Sequence, residues 1–90
     1  MTAAAPSYAS GTSDVPLLGE TIGAVLSRQA RDTPDAEALV DVQADRRWTF
    51  AELDADVSRL AAGLLAKGLA AGDRLALWAP NIGELSLIHI

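Results

Sequence analysis

Apolar residues recur at helical spacing in two stretches of the chain. In the first stretch they fall on one face of a helix predicted over residues 22–31. Thr21 can cap its N-terminus, and Thr33-Pro34-Asp35 ends the periodic pattern. This face consists of Ile22, Val25, Leu26 and Ala30.

The second helix has the clearest start signal. Thr49-Phe50-Ala51-Glu52 has the spacing of a capping box, in which the Thr hydroxyl accepts from the third helical amide and the Glu carboxylate accepts from the cap amide. An apolar stripe follows and ends at Gly68, a residue type suited to the position after a helix. Asp54 and Asp56 lie off this stripe and are expected to be solvated. The stripe consists of Leu53, Val57, Leu60, Ala61, Leu64 and Leu65.

Three short segments have the character of strands. Residues 38–42 and 47–49 flank a polar turn at 43–46, which predicts a β-hairpin. Residues 74–78 are mostly apolar and follow the Gly72-Asp73 turn, which favours a strand covered on both faces. After Pro80, Asn81 and Glu84 have the spacing of an N-cap and its third helical residue, which predicts the start of a third helix.

Residues 1–19 are rich in small and polar residues without periodicity, and we expect a disordered leader. Its start lacks the basic residues and the apolar run of a secretory signal. No segment is as long and apolar as a membrane span. The cytoplasm is therefore the expected location.

Composition narrows the possible chemistry. The net charge is -5 with a pI near 4.5, which argues against a nucleic-acid partner because phosphate binding needs clustered Lys and Arg. Arg46-Arg47 is the only adjacent basic pair and is interpreted as solvated hairpin surface. With no cysteine and a single histidine, His89, the chain cannot supply a thiolate or a histidine cluster for a metal.

Three other features invite functional interpretations that we consider weaker than structural ones. Asp54 and Asp56, two positions apart on a helix, point in different directions and do not form a catalytic pair. Trp48 and Trp78 could stack on an adenine, but packing in a core or a hairpin is the commoner role. The Gly68–Gly72 segment lacks the spacing of a phosphate loop and is interpreted as a connection.

Taken in order, the motifs between Thr21 and Glu84 resemble the N-terminal region of the adenylate-forming (AMP-binding) superfamily, which includes acyl-CoA synthetases. The matching pieces are Thr21-Ile22, Pro34-Asp35, Ala38-Leu39-Val40, Trp48-Thr49-Phe50, Glu52-Leu53, Arg59-Leu60-Ala61, Gly63-Leu64, Gly68-Leu69, Gly72-Asp73-Arg74, Ala79-Pro80-Asn81 and Glu84.

The resemblance implies an α/β fold, with residues 20–84 forming an incomplete N-terminal part of the large domain. It implies an intact enzyme that uses ATP, Mg²⁺ and coenzyme A to join a carboxylic acid to a thiol. The phosphate loop, the Mg²⁺ and ribose carboxylates and the C-terminal Lys of such enzymes have no counterpart in residues 1–90. We therefore predict no catalytic, cofactor-binding or metal-binding residue here, and we expect the main partner to be the remainder of the enzyme.

The last six residues, 85–90, depart from the family at Leu85, where an aromatic residue is common. They are what CTG TCT CTT ATA CAC ATC would encode, a string that resembles a transposon end used in sequencing adapters. We interpret the tail as adapter-derived, and the alternative is a natural apolar helix or strand.

Two other functions remain open. The chain could belong to a peptide-synthetase adenylation domain, or it could be a small interaction module that uses the 53–65 helix stripe. For a fragment of an acyl-CoA ligase, fatty or aromatic acids are the expected substrates. We also expect the isolated chain to be poorly folded or prone to aggregate, because much of its apolar surface would lack partners.

Overall fold

The computed structural model describes residue 7 and residues 11–90. Its elements in chain order are helix α1 (Ile22–Asp32), strands β1 (Glu37–Asp41) and β2 (Arg46–Thr49), and helices α2 (Phe50–Ala66) and α3 (Gly83–His89). The α/β class is confirmed. Residues 11–19 form no helix or strand and are exposed, and the rest of the predicted leader, apart from residue 7, lies outside the described residues.

The predicted first helix is confirmed, and it extends one residue further, to Asp32. The Thr21 hydroxyl accepts from the backbone N–H of Ala24 over 3.1 Å, so the expected cap is present. Leu26 is its buried residue, whereas Ile22 is 70% exposed. Only part of the predicted apolar face is therefore covered.

Helix α2 has both of its predicted ends. The Glu52 amide donates to the Thr49 hydroxyl over 3.2 Å, and the Thr49 amide donates to the Glu52 carboxylate over 3.1 Å. At the other end Gly68 has a φ of 100°, and the amides of Gly68 and Leu69 donate to the carbonyls of Leu65 and Leu64. This is a Schellman ending, which needs a residue without a Cβ at Gly68.

The hairpin is antiparallel, with its turn at residues 42–45 and Leu39 opposite Trp48. The hairpin packs against α2 through both strands and against α3 through β1, whereas α1 packs on α2. The core is small: Leu26, Trp48, Leu53 and Leu87 are its buried hydrophobic residues. Several half-buried side chains complete it, namely Ala38, Leu39, Phe50, Val57, Leu60 and Ile90.

The strand predicted over residues 74–78 is wrong for this chain. These residues form neither helix nor strand and are exposed, and Trp78 has no cover at all (103% exposed). The sheet that the structure describes contains only β1 and β2. A strand needs a neighbour for its hydrogen bonds, and the segment has none among the described residues.

The predicted start of the third helix is also partly wrong. Helix α3 exists, but it begins at Gly83 with Ile82 at the N-cap, and Asn81 makes no capping bond. The helix continues through most of the 85–90 tail, where Leu87 is buried. The adapter origin of the tail stays a prediction, since a short apolar run can form a helix whatever its source.

Candidate functional site

The most specific arrangement in the structure is the contact between the hairpin and the N-terminus of α3. The Asp41 carboxylate accepts from the backbone N–H of Gly83 over 3.1 Å, and its other oxygen accepts from the N–H of Ala44 over 3.1 Å. These two bonds, with the one from Gly83 the stronger influence, hold the pKa of Asp41 below its usual range. Asp41 thereby satisfies a free amide of α3 that Asn81 leaves unpaired.

Trp48 fits directly against Gly83. Its indole ring is 4% exposed, and a Cβ placed on Gly83 would lie 2.6 Å and 2.8 Å from two ring carbons. Real Cβ atoms do not approach other carbons that closely. The hairpin and α3 therefore meet at a distance that only glycine permits at position 83.

The polar parts around Trp48 are also paired. Its indole N–H donates to the Asp56 carboxylate over 2.9 Å, and Asp56 forms an ion pair with Arg59. The Arg46 guanidinium lies 4.3 Å from the centre of the indole ring and pairs with Glu84 at the start of α3. The prediction that Trp48 is a packing residue is confirmed.

The two helix carboxylates differ from the prediction. Asp54 and Asp56 were expected to be solvated, but both are half-buried and accept hydrogen bonds. Asp54 accepts from the Ser27 hydroxyl over 3.0 Å and joins α2 to α1, whereas Asp56 holds Trp48. They have different partners, so their role is to fix neighbouring elements rather than to act as a pair.

Two open depressions flank this contact. One, of about 440 Å³, lies between β1 and the start of α3, and its walls include Leu39, Val40, Ile82 and Ser86. The other, of about 530 Å³, contains three arginines, and each of them already pairs with a carboxylate: Arg46 with Glu84, Arg47 with Glu37, and Arg59 with Asp56. This compensation removes the positive field that an anion such as a nucleotide phosphate would need.

Metal and nucleotide chemistry have little support in the described ranges. No group of three or more His, Cys, Asp or Glu side chains there is placed to hold a metal ion. The exposed His89 ring has its Nδ1 2.7 Å from the Leu85 carbonyl on the same helix. The described carboxylates and His89 therefore do not form a site suited to a nucleotide with Mg²⁺. That the chain contains no catalytic residue stays a prediction.

Sequence reasoning missed the Asp41–Gly83 contact. The two residues are 42 positions apart, and neither helical nor strand periodicity marks such a pair. The one available signal was an acidic residue at the end of an apolar strand.

Among the residues that the structure describes, none of the helices is long and apolar enough to cross a membrane.

Comparisons with known proteins agree on one family. The model of the AMP-binding enzyme family matches residues 26–90. The chain is 49% identical over 83 residues to the mitochondrial medium-chain acyl-CoA ligase ACSF2 of Danio rerio, and 45% identical over 84 residues to that of Macaca fascicularis. These alignments cover 92% and 93% of the chain but only 14% of each relative.

A bacterial relative gives the same picture. The putative acyl-CoA synthetase YngI of Bacillus subtilis is 38% identical over 68 residues, which is 76% of the chain and 12% of that protein. No solved structure gives a significant match. The chain therefore spans about one seventh of the length of the relatives named first.

Proposed function

The chain belongs to the AMP-binding enzyme family, and from this premise we propose that it is the N-terminal part of the large domain of an ATP-dependent acyl-CoA ligase. The observation that carries the proposal is its similarity, over more than nine tenths of its length, to proteins named as acyl-CoA ligases. The intact enzyme would couple a carboxylic acid to AMP and then transfer the acyl group to coenzyme A.

In this proposal the 90 residues have a structural role in the large domain and contribute no catalytic side chain. Several of their polar side chains join one element to another, as at Asp41, Asp54 and Asp56. ATP, Mg²⁺ and coenzyme A would be held by the remainder of the protein, which would be the chain's main partner. The acidic net charge argues against a nucleic-acid partner, and this stays a prediction.

The names of the relatives support a proposed substrate class. Their names specify medium-chain acyl groups, which favours fatty acids over aromatic acids for the intact enzyme. The same names favour a coenzyme A ligase over an adenylation domain of a peptide synthetase. The location stays a prediction: the sequence favours the cytoplasm, whereas these relatives are named as mitochondrial.

The interaction-module alternative loses its main support in the structure. The 53–65 stripe was to bind a partner in a groove, but Leu53 is buried and Val57 and Leu60 pack against the chain's own core. Of the large apolar residues in that stripe, Leu65 is the one that remains strongly exposed (69%). A stripe used internally cannot at the same time fill the groove of another protein.

A chimera tests the proposal. Residues 21–84 of this chain would replace the matching segment of the Danio rerio ligase, and ATP-dependent pyrophosphate release and acyl-CoA formation would be measured with medium-chain fatty acids. We expect the chimera to be active and the 90-residue chain to be inactive. Pyrophosphate release by the 90-residue chain itself, or a folded chimera without ligase activity, would contradict the proposal.

A further inference from the structure

The stretch that leads into helix α1 carries large apolar side chains that nothing covers among the described residues. Four of them lie within eight positions, and each is between 64% and 72% exposed: Val15, Leu17, Leu18 and Ile22. We call residues 15–22 the entry segment. Single exposed apolar residues are normal on a protein surface, whereas several close together usually mark a contact. The entry segment is therefore a candidate interaction surface.

The C-terminal end of the entry segment is held in place by polar contacts. The Glu20 carboxylate accepts two hydrogen bonds from the Arg28 guanidinium, over 3.0 and 3.2 Å, and the Thr21 hydroxyl caps α1. Ile22 lies one turn before the buried Leu26, on the same side of the helix. The exposed apolar surface therefore begins next to the chain's own core, and a partner that covers it must lie against the N-terminal end of α1.

The similarity to the named ligases extends through this segment. The alignment with the Macaca fascicularis ligase spans 84 of the 90 residues, so it includes residues 7–84 wherever the other six lie. By the same reasoning the Danio rerio alignment, which spans 83, includes residues 8–83. The AMP-binding family model begins only at residue 26. The first residues of a domain tolerate change unless they are tied down, so the shared stretch before residue 26 indicates a contact in these ligases.

Charge distinguishes between the possible partners of the entry segment. The segment contains Glu20 and no Lys or Arg, and Asp14 directly precedes it. These carboxylates oppose binding to an anionic membrane surface, which attracts basic segments. A second copy is disfavoured because each chain has a net charge of -5 and a symmetric contact would bring two acidic segments together. A surface of the same protein remains, and the chain covers only 14% of its relatives.

We infer that the entry segment is a docking segment, which binds an apolar surface on the part of the same ligase that lies outside this chain. The inference rests on the proposed function, because the remainder of the enzyme supplies the partner surface. Docking would fasten the N-terminal end of α1 beside the core. The predicted disordered leader would then be ordered from about Val15 onward in the intact enzyme and uncovered only in the 90-residue chain.

An extended chimera, in which residues 11–83 of this chain replace the matching segment of the Danio rerio ligase, tests the inference. We expect the amides of Val15, Leu17 and Leu18 to exchange rapidly in the 90-residue chain and at least about tenfold more slowly in this chimera. The double variant Leu17→Asp, Leu18→Asp should abolish the protection, whereas Leu17→Ile keeps an apolar side chain and should retain it. Thr12→Asp, in the exposed stretch before the segment, is the control for added charge.

The outcomes separate this inference from the proposed function. An active extended chimera in which the amides of residues 15–18 stay unprotected would overturn the inference and leave the ligase proposal standing. Protected amides in a folded extended chimera without ligase activity would support the inference and contradict the proposal.

Three other results would also overturn the inference, because each identifies a different partner. Protection already present in the 90-residue chain would mean that the chain covers its own segment. Protection that rises with the concentration of the extended chimera would mean that a second copy does so. Protection that appears only with vesicles of phosphatidylcholine and phosphatidylserine would identify a membrane. If the extended chimera does not fold, the same variants and exchange measurements are made on the gene product extended past codon 90.

Discussion

Asp41 at the end of β1 accepts a hydrogen bond from the backbone N–H of Gly83, the first residue of α3, over 3.1 Å. The Asp41 side chain thus accepts the hydrogen bond that an N-cap side chain next to the helix would ordinarily accept, because neither Asn81 nor Ile82 forms one. The bond ties the placement of α3 to the hairpin rather than to the residues just before it. Changes at Asp41 should therefore act on a helix that begins 42 positions away.

Replacing Asp41 by alanine should loosen α3 and leave α2 intact. The Gly83 and Ala44 amides would both lose their acceptor, whereas the capping box of α2 does not involve Asp41. Residue-resolved amide exchange in the chimera should show faster exchange at the start of α3 and unchanged exchange in α2. Asp41→Asn keeps a carbonyl oxygen and should have a smaller effect. An equal loss of amide protection in α2 and α3 would contradict this local role of Asp41.

Gly83→Ala should destabilise the hairpin–α3 contact by about 1–3 kcal/mol, because the new methyl would overlap the Trp48 ring. The matched control is Gly63→Ala in α2, where a Cβ meets nothing within 4 Å. That change should stabilise α2 by about 0.5–1 kcal/mol, since alanine restricts the unfolded chain and favours helix. Local amide-exchange rates in the chimera measure both. A Gly83→Ala variant with unchanged exchange rates at the start of α3 would show that the close fit to Trp48 is not required.

The capping box should make α2 sensitive to acid. The backbone N–H of Thr49, followed by its hydroxyl, holds the pKa of Glu52 below its ordinary value of 4.5. A group with a lowered folded-state pKa stabilises the folded state fully above its unfolded pKa, and this contribution is lost as the pH falls through the folded pKa. Helix content measured by circular dichroism should therefore drop on acidification below about pH 4.5. Glu52→Gln can still accept the hydrogen bond from the Thr49 amide, and it should reduce the loss of helix content in acid. If the variant loses helix content at the same pH as the original chain, other carboxylates cause the acid sensitivity.

The isolated 90-residue chain should unfold without a cooperative transition. Its accessible surface is 7481 Å², whereas a folded monomer of its mass exposes about 5,000 Å². Its radius of gyration of 16.9 Å exceeds the value of about 12 Å expected for a compact domain of this length. The exposed residues 11–19 contribute to both values, but among the described residues the core still holds only four buried hydrophobic side chains. Thermal melting followed by circular dichroism checks this, and a sharp, reversible transition would show that the chain is a domain in its own right.

Local signals in the sequence account for most of the secondary structure. Helices α1 and α2 begin at caps formed by Thr21 and Thr49, and α2 ends at Gly68, because these bonds join residues within a few positions of one another. The hairpin was predicted from two short strand-like segments around a polar turn. Such features depend on nearby residues and are readable without knowledge of the fold.

The errors arose where a distant partner decides the outcome. Asn81 has a suitable side chain for a cap, but Asp41 provides the bond from the hairpin, so the helix begins one residue later. Asp54 and Asp56 were expected in solvent because periodicity cannot show that Ser27 and Trp48 lie opposite them. Residues 74–78 have a strand-like pattern, but no neighbouring strand lies among the residues that the structure describes. For the same reason the candidate site around Trp48 and Gly83 could not be predicted.

Reading the source DNA across codons 80–95, from a primer placed upstream of Asn81, tests the central claim most directly. The claim is that this chain is one part of a longer acyl-CoA ligase whose chemistry lies elsewhere. We predict that the reading frame continues past Glu84 with an aromatic residue and later reaches a Ser/Thr/Gly-rich phosphate loop. Genuine codons for Leu85 to Ile90 followed directly by a stop codon would contradict the claim, because the 90 residues would then be the entire protein.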